Sequence, residues 1–268
     1  MKYISPGGWF SLEYPENWNE FKDTEDTFLF YNSINWEGNF RISAFKGSSS
    51  DYANCCIEDE LKTNSTSVSV KIGQWNCAYS SETFQENGAW YTTHIWITGF
   101  GQICFECTFT VEKGGKRMIA EEIIRSIKVR NGHEPKEIIP IRILEIEEIN
   151  EAFEWVSNRV KKLLTKDFTS QEDDIYKLQA LVNDGKIQLN QRNAWESIGL
   201  TLGTIMENEM DGINWVTVVD NDKEYAALQF KDLLIDPINW IWNQVKLKAS
   251  IDLKSEFIRI KEEVEKRL

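Results

Sequence analysis

Histidine is scarce in this chain: two residues in 268 leave little material for acid–base or metal chemistry. His94 lies in a strand-like segment and His133 among turn formers. Neither has a nucleophile and an acid nearby in sequence, so a hydrolytic triad is not indicated. The glycine loops of nucleotide enzymes are missing as well. Gly114-Gly115-Lys116 lacks the upstream glycine and the following Ser or Thr of a phosphate loop. Gly99-x-Gly101 lacks the third glycine of a dinucleotide loop and lies between strands, and no G-x-S-x-G elbow occurs. No run of about 18 apolar residues is present, which excludes a membrane-spanning helix. No apolar stretch follows Met1-Lys2-Tyr3, so no secretory signal is expected.

The five cysteines (Cys55, Cys56, Cys77, Cys104, Cys107) are odd in number and confined to the first half. Reduced thiols in a cytoplasmic protein fit this better than a disulfide framework. Cys104-x-x-Cys107 has the spacing of a redox or zinc pair. On a strand, however, residues three apart point to opposite faces, and no second pair completes a four-ligand site. Asp220-Asn221-Asp222 alternates acids as a calcium loop does, but Lys223 follows where the loop needs its glycine, and a β-turn is the better reading. No metal and no cofactor are expected.

What the chain does have is acid and tryptophan. The formal charge is −13, and acidic residues outnumber basic ones in both halves. Such a surface repels nucleic-acid phosphates and anionic lipid, so neither is expected as a partner; solubility is the plain reading of the charge, and docking to a basic protein partner the sharper one. Hydrophobic residues at 41% and charged ones at 27% are globular proportions.

Periodicity divides the chain. Up to residue 130 it reads as strands: Thr27–Tyr31, Asn39–Phe45, a long segment at 67–83, then 89–98 and 102–111, with turns at Asn87-Gly88 and Gly99-Phe100-Gly101. Ile103, Phe105, Cys107, Phe109 and Val111 alternate with polar residues, the mark of a half-buried strand. Asp51 is placed to cap one helix, and Ile119, Ile123 and Ile127 mark another over 116–126. Asn131-Gly132-His133-Glu134-Pro135 then breaks the pattern, making 131–140 a linker. From 141 to 268 the period becomes helical. Ile146, Ile149, Phe153, Val156, Val160 and Leu163 form one stripe, and further helices are expected over 173–182, 193–210 and after Pro237. Trp215–Val219 and Tyr225–Phe230 are the two strands of a short hairpin. Gly199-Leu-Thr-Leu-Gly203 predicts close packing of its helix against a neighbour. The fold class is therefore α+β, with an antiparallel sheet flanked by helices in 1–130 and a helix-rich α+β domain with a short β-hairpin in 141–268.

Phe10-Ser11-Leu12-Glu13-Tyr14-Pro15-Glu16-Asn17-Trp18 resembles the opening strand and turn of the PsbP-like family, and Ile123-Ile124-Arg125-Ser126-Ile127-Lys128-Val129 resembles its closing helix. The second half resembles a bacterial domain family of unknown function, on Gly199-Leu-Thr-Leu-Gly203, Trp215-Val-Thr-Val-Val-Asp220 and Pro237 ahead of a helix. PsbP-like domains are generally non-catalytic and include photosystem assembly subunits, a GTPase-binding transport factor and chaperones of secreted effectors. The resemblance implies a binding scaffold without naming its ligand. The expectation is thus a non-enzymatic protein-binding module of adaptor, chaperone or toxin-immunity type in a bacterial cytoplasm. Trp75, Trp90, His94 and Trp96 would line its concave face. The alternative is a small-molecule sensor or an enzyme with a pocket between the two domains.

Overall fold

The computed structural model describes residues 1–24, 27–131, 134–221, 223–247 and 249–268. The chain forms two compact units, Met1–Glu134 and Pro135–Leu268. Both are α+β and their sheets are antiparallel.

The first unit contains strands β1 (Lys2–Ile4), β2 (Phe10–Glu13), β3 (Asn19–Thr24), β4 (Thr27–Tyr31), β5 (Asn39–Lys46), β6 (Val68–Ile72), β7 (Trp75–Glu86), β8 (Ala89–Phe100), β9 (Ile103–Glu112) and β10 (Lys128–Val129). Its helices are α1 (Tyr52–Thr63) and α2 (Met118–Ser126). Seven strands form one sheet in the order β3-β4-β5-β9-β8-β7-β6, and β1-β2-β10 form a second, small one. The alternation along β9 sets the core. Phe105, Cys107 and Phe109 are buried together with Phe40 and Ile42 of β5, Trp96 of β8, Phe10 and Leu12 of β2, and Ile123 and Ile124 of α2. Each fully buried phenylalanine contributes roughly 1.5–3 kcal/mol relative to an exposed one.

Asn87 and Gly88 both take positive φ, 49° and 85°, as a two-residue turn between right-twisted strands requires. Three expectations are corrected. The single strand expected over 67–83 is a hairpin, because Gly73 at φ 58° turns the chain and Ile72 pairs with Trp75. The turn expected at 99–101 lies one residue later, since Phe100 still pairs with Ile103. Asp51 precedes α1 but makes no side-chain capping bond to it.

The second unit contains β11 (Glu137–Pro140), α3 (Ile143–Leu164), α4 (Ile175–Asn183), α5 (Arg192–Glu209), β12 (Asn214–Asp220), β13 (Lys223–Phe230), β14 (Leu233–Ile235), α6 (Pro237–Leu247) and α7 (Leu253–Glu265). The expected hairpin is β12–β13, with Asp220 opposite Lys223; Asp222, within the expected turn, lies outside the described residues. The sheet order is β11-β12-β13-β14. Residues 137–140, expected as linker, are therefore a strand: Ile138 and Ile139 pair with Val218 and Thr217. On α3 the predicted stripe is buried at Ile149, Val156 and Val160, with Ala152 beside them, whereas Ile146 is exposed. Gly199 and Gly203 do permit close approach. A Cβ on Gly199 would lie 2.8 Å from Ile238 Cα and 2.9 Å from the Pro237 carbonyl oxygen, and one on Gly203 would lie 2.4 Å from the Trp215 ring.

Candidate functional site

The four residues expected to line a concave face do not converge. Trp75 and Trp96 are 5% and 0% exposed and belong to the core of the first unit. Trp75 meets Phe105 edge-on at 6.0 Å, and Trp96 packs on Tyr79 at 5.4 Å. Their sheet face is the one that α2 and the small sheet cover. Trp90, 49% exposed near the β7–β8 turn, is capped by the Lys113 ammonium at 5.0 Å. His94 shares its strand face, but four residues of strand place the two roughly 13 Å apart.

His94 is half-buried, and its Nδ1 hydrogen-bonds the Tyr79 hydroxyl at 2.8 Å. Arg117 stacks over the Tyr79 ring at 4.3 Å and pairs with Glu121 at 2.8 Å. Burial, followed by the Arg117 charge, holds the imidazole below its ordinary pKa despite an opposing pull from Glu121. This arrangement fixes the ring and brings no nucleophile to it. His133 lies outside the described residues. Cys104 and Cys107 fall on opposite faces as their spacing predicts: Cys107 is in the core, and Cys104 lies under α1. Among the described residues, no three His, Cys, Asp or Glu side chains are grouped to hold a metal.

A groove of about 1020 Å³ lies wholly within the second unit, between α3, α5, α6 and the β12–β13 hairpin. Six carboxylates line it (Glu148, Glu151, Glu196, Asp220, Glu224, Asp236) against three cations (Arg192, Lys223, Lys246). Trp155, Trp242 and Tyr225 supply aromatic walls. Glu224, one of its lining acids, is tied to a buried charge network. The Arg142 guanidinium donates from Nε to Glu145 at 3.0 Å and from Nη2 to the same carboxylate and to Glu224, the latter at 3.0 Å. The Thr217 hydroxyl donates to Glu145 at 3.1 Å and accepts from the Arg142 backbone N–H at 3.2 Å.

One helical turn beyond Glu145, Glu148 opens into the groove. Desolvation by the walls, then the Glu145 charge, raises its pKa, with Glu196 and Glu151 adding and Arg142 opposing. Asp236 is raised by burial too, although it caps α6 by accepting the Asn239 N–H at 2.8 Å. These groups therefore carry their negative charge at a cost that a bound cation would relieve. The tryptophans already attract cations from their own unit. Arg159 lies over Trp155 at 4.5 Å, and Arg192 and Lys246 lie over Trp242 at 5.7 and 5.5 Å. The groove is thus chemically suited to guanidinium and ammonium groups. Sequence reasoning missed it because its residues span 148 to 246 and meet only through tertiary packing. The available signal was the tryptophans of the second half set among its surplus of acids.

Residues 1–150 match the model of a domain of unknown function, DUF3805, and residues 174–257 that of a second, DUF3806. A crystal structure from Bacteroides thetaiotaomicron VPI-5482 is 47% identical and superimposes with a TM-score of 0.93, covering 96% of both chains. Cyanobacterial PsbP from Synechocystis aligns over 48% of this chain and 92% of its own, at 11% identity and a TM-score of 0.27. LpqN of Mycobacterium tuberculosis, described as involved in cell envelope biogenesis, aligns over 49% and 91%, at 11% identity and a TM-score of 0.30. No curated protein matches.

Proposed function

Starting from a chain that belongs to the DUF3805 family, we propose that it acts by binding rather than catalysis, holding a basic segment of a partner protein in the groove of its second unit. The observation that carries this reading is the lining itself, six carboxylates and three aromatic rings around a space of about 1020 Å³. Unfavourably charged acids reward an incoming cation, and tryptophan faces add about 0.5–2 kcal/mol for each stacked guanidinium or ammonium. The acidic surface adds long-range attraction and raises the association rate. The resemblance of the first half to PsbP-like domains, a largely non-catalytic family, is in keeping with an adaptor or immunity-type role.

The test is a titration of the full chain with an arginine- and lysine-rich peptide and with an acidic peptide of equal length, followed by tryptophan fluorescence. The basic peptide should bind selectively, and its affinity should fall with added salt. Trp242→Ala and Glu148→Gln should each weaken it, by about tenfold for every 1.4 kcal/mol of binding free energy removed. Equal binding of both peptides, or indifference to both substitutions, would sink the proposal.

A second reading, a small-molecule receptor, draws on the groove volume, which lies at the upper end of ligand-sized cavities of roughly 300–1,000 Å³. A neutral metabolite that raises the melting temperature and is displaced by Trp242→Ala would favour it.

A further inference from the structure

We propose that Cys56 and Cys104 are a peroxide-responsive thiol pair that closes to a disulfide and fastens α1 to β9. The helix lies on the face of β8 and β9 opposite the core, packed directly on the strands. The Ala53 N–H donates to the Gly101 carbonyl at 3.0 Å. A Cβ built on Gly99 would be 2.9 Å from both Ala53 Cβ and Cys104 Cα, so these two atoms lie no farther apart than twice that distance. Only glycine at 99 lets the helix and the strand approach so closely. Cys56 is three residues beyond Ala53, hence on the same face of α1. Its side chain is among the groups that perturb the Cys104 thiol, and it also raises the Tyr52 phenol one turn back.

The two thiols differ in what they can meet. Cys56 is half-buried and reachable from solvent, whereas Cys104 is buried beneath the helix. Burial first, then the neighbouring Cys56 side chain, pushes the Cys104 thiol above its ordinary range, so Cys104 attacks only as its proton is taken up. The remaining cysteines are separated from this chemistry: Cys77 and Cys107 are fully buried in the core, and Cys55 is exposed, next in sequence and so about 100° around the helix.

The chemistry follows from that asymmetry. The Cys56 thiolate attacks hydrogen peroxide, the O–O bond breaks, and sulfur is oxidised to sulfenic acid as hydroxide leaves. The Cys104 sulfur then attacks the Cys56 sulfur. The S–O bond breaks, and the departing hydroxide takes the Cys104 proton as water. Two thiols and one peroxide thus give one disulfide and two waters. The bond would close a loop holding most of α1 and all of β6, β7 and β8.

The experiment treats the full chain with a small excess of hydrogen peroxide, counts free thiols after denaturation, and sequences linked peptides from a non-reduced digest. The expected result is loss of two of the five thiols, a Cys56–Cys104 linked peptide, a higher melting temperature for the oxidised protein, and reversal by dithiothreitol. Cys104→Ser should stop the linkage and leave a sulfenic acid at Cys56 that dimedone captures, and Cys55→Ser should change nothing. Linkage through Cys55, within or between chains, overturns the proposal, as does retention of all five thiols in the wild-type protein under these conditions.

Discussion

Arg142 grips both carboxylate oxygens of Glu145, three residues along the chain, and neither side chain reaches solvent. Burial alone would disfavour the guanidinium charge, but Glu145 and Glu224 outweigh it, so Arg142 stays ionised. The pair links the start of α3 to β12 through Thr217 and to β13 through Glu224. Replacing Arg142 by Met should strand a buried carboxylate and cost about 3–5 kcal/mol in urea unfolding, whereas Arg142→Met with Glu145→Leu should recover most of the loss. Equal instability of the single and double variants would contradict this account.

The glycines of α5 give a graded test. Alanine at 199 meets backbone atoms of Pro237 and Ile238, which cannot swing aside, while alanine at 203 first meets the Trp215 ring. Both should destabilise by about 1–3 kcal/mol, with Gly199→Ala the more severe. A melting curve unchanged in Gly199→Ala would show that α5 and α6 do not pack backbone to backbone at this point.

The groove acids should leave a signature in stability against pH. Glu148 has a folded pKa above its unfolded value, so its ionisation opposes folding above the folded pKa. That opposition fades as pH falls through the folded pKa. Glu148→Gln should therefore raise the melting temperature slightly at neutral pH, and the gain should vanish in acid. A gain that grows towards acid would have the wrong sign.

His94 titrates in the opposite sense. Its folded pKa is depressed, so the folded state resists protonation and loses stability as pH falls through the unfolded value near 6.5. Proton NMR should place its midpoint below 6.5, with His94→Asn identifying the resonance. Arg117→Gln should move that midpoint upward, because the nearby positive charge contributes to the depression. A midpoint that ignores Arg117→Gln would leave burial as its sole cause.

Much of this fold is legible from local pattern. The alternation at Ile103–Val111 gave a strand with one buried face, and the 3–4 spacing along 149–160 gave the buried stripe of α3. Opposite faces for Cys104 and Cys107 followed from strand geometry alone. Local pattern did less well where tertiary pairing decides. β3 (Asn19–Thr24) is a polar edge strand that carries no apolar alternation, and β11 depends on Ile138 and Ile139 finding β12 roughly 80 residues later. The candidate site fared worst for the same reason. Aromatic content drew attention to Trp75, His94 and Trp96, but which side of the sheet α2 covers is not written in that segment. The groove acids, by contrast, come from two helices, a hairpin and the residue that caps α6, and no window of sequence holds them together.

The small sheet β1-β2-β10 has a topological consequence. The first strand of its unit and the last both flank β2, so they run two strand spacings apart, about 10 Å. Both pair antiparallel with β2 and so run parallel to each other, so joining the end of β10 to the start of β1 takes a crossover of about a dozen residues. New termini could be cut at the Asn87-Gly88 turn, where a Cβ on Gly88 would touch nothing. Such a circular permutant would keep every strand pairing of the unit, with the crossover passing over β2.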